Sequence, residues 1–463
     1  MPVVKDLFDT TDLRVAVARD GETPADAACV LLWVSRAKRA TANPAANVAV
    51  AVADRLGLPV VALVCLDPTF PGATLRTLHF LAEGVDELPD AFAARGIGWE
   101  LRAGSPVAAV PRAAADLRAA VVVTDLDPMR AGREWRAAIA DALALPLLIV
   151  DADTVVPSAL FPTEEWAPRT IRPKLHRVLA DHLRPIPDPA PHVRSDHRAG
   201  PAALDVLAAA TVDRSVAPVA TRPGGPAAAQ ARLTRWVRVG LRDYHDGRNT
   251  PHHDGSSGMS AFLHFGQISP SEILLAAKAT LDAGQMPQEA WDTFVNELLV
   301  QRELAINFAL RNPHADRYEG IPDWGRKTLA AHAADPRPYL YTRAELEAGD
   351  THDPLWNAAQ RQMVAEGFMP NRLRMYWAKQ FLYWTATPEE AWATAKAFND
   401  RYFLDGRDAN GDTGVSWSIG GRHDRPFPPN KPVIGLVRPM GAKGMAKYFD
   451  VDAYTREIRR RHG

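Results

Sequence analysis

Five short apolar runs in the first third of the chain limit what it can fold into. They are VLLWVS (Val30 to Ser35), VVALVCL (Val60 to Leu66), WELRAG (Trp99 to Gly104), AVVVTDL (Ala120 to Leu126) and LLIVDAD (Leu147 to Asp153). All but WELRAG are rich in β-branched residues, and Ala-rich segments of helical period, such as AANVAVAVADRLG, lie between them. Near-continuous apolar strands need cover on both faces, so the pattern predicts a parallel sheet with helices packed on each side. No GxGxxG follows the first run. The layout is therefore Rossmann-like without the dinucleotide fingerprint.

A chain of 463 residues exceeds one ordinary core. From Pro185 to Pro226, Pro, Ala and Gly dominate, which suits a linker with at most one short helix. Beyond Ala227 the pattern is helical. Asp353 before Pro354 reads as an N-cap with proline at the first helical position, and Gly367 as the stop. Thr387 before Pro388, Glu389 and Glu390 repeats the device. We expect an α/β domain over 1–184, a linker over 185–226 and an all-helical domain over 227–463.

Charge and cysteine content narrow the function. Net charge is −1, but Arg422, Arg425, Lys431, Arg438, Lys443, Lys447, Arg456, Arg459, Arg460 and Arg461 crowd the C-terminal stretch. Such a distribution is compatible with a nucleic-acid surface and equally with a solvated face. Cys29 and Cys65 are the only thiols, which excludes an iron–sulfur cluster held by four cysteines and suits two buried structural residues. No apolar run has the length of a membrane span, and the N-terminus lacks a secretory layout, so the expectation is a cytoplasmic protein with no metal site.

The run from Thr351 to Arg407 carries the chemistry. It places Trp356, Trp377, Trp384 and Trp392 on successive helices, interleaved with Arg374, Asn399 and Asp405. Trp377 and Trp384 are seven residues apart, hence nearly on one face and ~10.5 Å apart along the axis. Indoles at that spacing fill a core or pass electrons. Beside a few polar groups they point to redox or photochemistry around a buried aromatic cofactor, not to hydrolysis.

Eight motifs then occur in order: SRAKR near the first strand, WAPRTIRPKLHRVL at 166–179, FLHFGQISP at 262–270, NELLVQRELAINF at 296–308, THDPLWNAAQ at 351–360, RLRMYWAKQ at 372–380, NDRYFLDGRDANG at 399–411 and WSIGGRHDRP at 417–426. Together they resemble the class II cyclobutane pyrimidine dimer photolyases, from about residue 30 to Tyr454. The resemblance implies a helical domain that binds FAD, active as the reduced anionic hydroquinone. It also implies light-driven electron transfer to a dimer flipped out of UV-damaged DNA. A deazaflavin-type antenna in the N-terminal domain and a monomeric state are further expectations.

By the same resemblance, Asn399 faces flavin N5, and Arg374 and Asp405 form a salt bridge beside the ring. Tyr244, Ser260 and the turn around His264 contact FAD. Trp377, Trp356 and Trp384, in that order from flavin outwards, form the photoreduction relay, while Trp392 stays in the core. Glu297 meets the carbonyl edge of the dimer, and a carboxyl group desolvated there keeps its proton. Arg248, Asn249, Tyr341, Met375, Trp417, Asp424 and Arg425 face the lesion or its DNA. The loop His252 to Ser257 does not align cleanly with the family.

Four positions depart from the family pattern: Gln301 and Phe427 on the lesion side, Ala42 and Pro44 near the first strand. Two competing readings remain, a cryptochrome-like photoreceptor without repair and a dark flavin oxidoreductase. The second needs a nicotinamide site that the sequence does not show.

Overall fold

A computed structural model describes residues 3–251 and 255–462. His252, His253 and Asp254 of the loop singled out above lie outside the described residues. Contacts divide the chain into two compact units. The first comprises Met1–Pro162, Leu175–Thr234 and Met259–Ala279, and the second Thr163–Lys174, Arg235–Gly258 and Thr280–Gly463. These do not coincide with boundaries at 184 and 227. The segment 259–279 belongs with the α/β unit and 163–174 with the helical one.

The first unit holds a seven-stranded sheet. Its strands are β1 (Val15–Arg19), β2 (Cys29–Trp33), β3 (Val60–Leu66), β4 (Gly98–Ala103), β5 (Ala119–Asp125), β6 (Leu147–Val150) and β7 (Arg198–Ala199), in the spatial order β1-β6-β5-β2-β3-β4-β7. All pairings are parallel except β1 with β6. β2 and β5 are buried at every position, as strands covered on both faces must be. The order reverses between β2 and β5. At their carboxyl ends Asp125 accepts backbone N–H groups of Ser35, Arg36 and Ala37. The two outer strands are new relative to the sequence reading.

The Pro-rich stretch after residue 184 is fastened to the sheet unit. Asn47 donates to the Pro187 carbonyl at 2.7 Å, Arg95 to Pro189 at 2.8 Å, and His192 N–H to Asp54 at 2.7 Å. It carries β7 and one short helix, Ala203–Ala209, whose first amides Asp86 accepts.

The second unit is helical. Gln288–Val295 runs through a π-helical turn, Asn296–Gln301, into Arg302–Arg311. Pro354–Glu366, Asn371–Trp384, Pro388–Tyr402 and Ala409–Gly420 follow. Asp353 caps the first of these four through Leu355 and Trp356, and Gly367 ends it at φ 61°. Thr387 caps Pro388–Tyr402 through the Glu390 N–H at 3.1 Å. Among the described residues no helix is long and apolar enough to cross a membrane.

Candidate active site

The Asn371–Trp384 helix carries the Arg374 guanidinium near its start and two indoles, Trp377 and Trp384, further along. Arg374 Nη2 donates to Asp405 Oδ1 at 2.8 Å and Nη1 to Asp405 Oδ2 at 3.2 Å, a bidentate pair. Nη2 also donates to Asn399 Oδ1 at 3.1 Å, and the guanidinium lies 3.5 Å from the Phe403 ring centroid. Asn399 is 2% exposed, so an unpaired carboxamide there would be costly. Its Nδ2 donates to Asp400 Oδ1 at 2.9 Å. The structure thus brings Arg374, Asn399 and Asp405 into one network.

The neighbouring helix leaves room beside that network. A Cβ at Gly411 would sit 2.8 Å from Asn399 Nδ2, so glycine lets Ala409–Gly420 approach. One turn further along, a Cβ at Gly414 would have no neighbouring atom within 4 Å. Arg374 Nε and Thr413 Oγ1 are buried without a hydrogen-bond partner among the described residues. Orphaned donors of this kind call for a ligand or water. A carboxamide oxygen and a guanidinium N–H beside a glycine face fit a flat ring with polar edge atoms, as an isoalloxazine is.

The indoles are closed and neutral. Trp377 and Trp356 stack with centroids 6.5 Å apart and planes 10° apart, and Trp356 meets Trp384 edge-on at 5.2 Å. Trp356 therefore sits between two residues of one helix. Trp377 Nε1 donates to Gln360 Oε1 at 2.8 Å and Trp356 Nε1 to the Trp377 carbonyl at 2.9 Å. Trp384 is not itself at the surface: it is 3% exposed. The rings of Tyr341 and His352 lie 5.7 and 5.4 Å from it, and half-exposed Tyr339 stacks on His352 at 3.8 Å. Trp392 is in the core, with Nε1 donating to Ser416.

A second polar group gathers around Glu297 on the π-helical turn, a feature common at functional sites. Burial pushes its carboxyl above the usual range, against the pull of Arg248, an Asn296 hydrogen bond and Arg372. Arg372 Nε donates to Asn249 Oδ1 at 3.2 Å, and Arg248 lies 6.0 Å from the Tyr244 ring centroid. Burial, then Glu297, raises the Tyr244 hydroxyl's pKa well above ordinary. Arg372 shares its helix with Arg374 and half-buried Met375.

Other expected residues lie as follows. Trp417 is half-buried on Ala409–Gly420, with Lys379 Nζ 5.3 Å from its ring centroid. Lys379 is fully buried, and burial lowers its pKa to about 7. Asp424 is held bidentately by Arg438 at 2.8 and 3.0 Å, and Arg425 is exposed. Ser260 starts the short helix Ser260–His264 in the first unit. Tyr341 packs on Trp384, nine residues and ~13 Å of helix from Met375. The sequence reading missed Arg372, Lys379, Lys396, Asp400 and Asp412. Lys396 and Asp400 were detectable as a helical i,i+4 pair.

Comparison with known proteins follows the same lines. The DNA photolyase family model matches residues 30–192. A deoxyribodipyrimidine photo-lyase of Potorous tridactylus is 37% identical over 431 residues, covering 92% of this chain and 80% of that relative. One from Methanothermobacter thermautotrophicus is 36% identical, covering 93% of this chain and 94% of the other. A class III photolyase structure from Agrobacterium tumefaciens superposes with TM-score 0.73 at 18% identity, over 95% of this chain and 87% of its own, and shows the shared fold.

Proposed function

The chain belongs to the DNA photolyase family, with motifs of the class II branch, and from that premise we propose how its residues carry out light-driven repair of cyclobutane pyrimidine dimers in DNA. The family binds FAD. When bound in its reduced state, that group supplies the electron that opens the cyclobutane ring under light. The observation that carries the reading is the Arg374–Asn399–Asp405 network beside the open space at Gly414.

The protein's own residues do the rest. Arg374 and Asp405 form a neutral pair, so the ring meets directional donors and acceptors without a net charge. Asn399 Oδ1 keeps a lone pair for a ring N–H, which favours the reduced cofactor. Glu297, its pKa raised by burial, holds a proton at the carboxyl and offers it as a hydrogen bond to the dimer's carbonyl edge. Arg248 and Arg372 limit that shift and stand ready for DNA phosphate. Met375 and Trp417 offer apolar and stacking surface to a flipped base, and exposed Arg425 can enter the gap it leaves. Trp377, Trp356 and Trp384 bring electrons inwards to keep the cofactor reduced.

The reading extends to a deazaflavin-type antenna in the first unit, supported by the family likeness alone. Doubly wound sheets take ligands where strand order reverses. The side chains there pair among themselves, Arg36 with Asp153 at 3.0 Å and Asp125 with three amides, and do not by themselves mark a chromophore site. A monomer acting in the cytoplasm completes the proposal.

The test is direct. Chemically reduced, FAD-loaded protein is illuminated with dimer-containing DNA, and absorbance in the thymine band is followed. Recovery of the band under light, and none in the dark, is expected. No recovery with the flavin fully reduced would favour a photoreceptor.

A further inference from the structure

Behind Asn399 lies a buried charge cluster that the repair scheme does not use. Lys396 and Asp400 stand one turn apart on Pro388–Tyr402, and Asp412 reaches in from Ala409–Gly420. Lys396 Nζ pairs with the Asp400 carboxylate and lies 2.8 Å from Asp412 Oδ1. Asp412 is 1% exposed. Burial alone would lower the Lys396 pKa, but Asp412 and Asp400 together raise it above ordinary, so the ammonium stays charged. Asp316 also bears on Asp412, and Arg407 on Asp400.

Asp400 connects this cluster to the site. Its Oδ1 accepts from Asn399 Nδ2 at 2.9 Å and from the backbone N–H of Arg407 at 3.0 Å. Arg407 is held in the left-handed region at φ 59°, which aims that N–H. The carboxamide is thus gripped at both ends. A guanidinium only donates, so Arg374 selects the oxygen, and a carboxylate only accepts, so Asp400 selects the NH2. Two carboxylates and an ammonium are costly to bury, and apolar residues would stabilise the same space as well or better. A role in orientation accounts for what stability does not.

We propose that Asp400, held by Lys396, is a positioning residue that locks the Asn399 carboxamide so that its oxygen, not its NH2, faces the flavin. Lys396 holds the Asp400 carboxylate, with Asp412 on its other side, and Asp400 holds Asn399. This rests on the flavin reading of the site.

The experiment is a spectroelectrochemical measurement of the midpoint potential of bound FAD in the full-length protein. Asp400→Asn frees the amide to turn its NH2 inwards, where it cannot accept a ring N–H. The equilibrium constant for reduction should fall about tenfold, ~30 mV for a two-electron couple. Burial pushes the Asp412 carboxyl up to about 7, so the comparison is made above pH 8, where Asp412→Asn removes the same charge from nearby without touching Asn399 and should not lower the potential. In an Asn399→Ala background, Asp400→Asn should add nothing further. Should Asp400→Asn fail to fold, Asp400→Glu keeps the charge, displaces it by one methylene and should lower the potential in the same way.

Equal shifts from the two Asp→Asn variants would mean simple charge removal and overturn the proposal. So would a shift that survives without Asn399, or no shift at all. Failure of the unsubstituted protein to bind FAD would sink the flavin reading itself, which is a separate result.

Discussion

The helical unit buries two very different interiors within one turn of each other. From Trp377 outwards, three indoles follow one another with centroids 6.5 and 5.2 Å apart, two with their N–H groups bonded to Gln360 and to the Trp377 carbonyl. From Arg374 inwards, charges gather beside the glycine face of Ala409–Gly420, with Arg374 Nε unsatisfied among the described residues. A path for electrons needs fixed ring spacing and no reorganising charge. A cofactor cradle needs directed polar atoms and space. The contrast separates supplying electrons from using them.

The largest effect is expected in the file. Trp377→Phe should abolish photoreduction of oxidised flavin, followed by its absorbance under light with an external reductant. Repair by chemically reduced protein should continue. Loss of both would merge the two regions into one. Next comes Asp405→Ala, which strands a guanidinium that is largely out of water. It should cost about 3 kcal/mol in chemical unfolding and deplete bound FAD. Unchanged FAD content would remove the pair from the cradle.

Glu297 sharpens the comparison through pH. Its carboxyl is pushed up by burial, so the useful proton is present at low pH and lost as pH rises through the raised value. Repair yield should therefore fall with rising pH. Glu297→Gln keeps a neutral donor, flattens that profile and lowers yield only a few-fold. A profile of unchanged shape in the variant would assign the titration elsewhere. The smallest effect belongs to Tyr341→Phe. The ring packs on Trp384, so affinity for dimer-containing DNA should stay the same within error. A clear loss would return Tyr341 to the lesion pocket.

Much of this was legible in the sequence wherever one segment decides its own structure. The central strands were readable because continuous apolar runs admit few alternatives, and the caps at Asp353 and Thr387 because their chemistry is local. β1 escaped because its five residues alternate between partly buried and exposed, and β7 because it is two residues long. The helical period of 259–279 says nothing about which unit it joins. Spacing put Trp377 and Trp384 on one face, but only the fold inserts Trp356 between them. Asp412 reaches Lys396 from another helix, a contact no local pattern encodes.

The most direct test of the central claim is to fill the gap beside Asn399. A Cβ at Gly414, one turn from the Gly411–Asn399 contact, would meet nothing within 4 Å, and glycine is a weak helix former, so Gly414→Leu should fold with apo stability unchanged or slightly raised. We predict that this variant, titrated with FAD by fluorescence, binds none. FAD binding at unaltered affinity, with the leucine in place, would show that the flavin does not lie there.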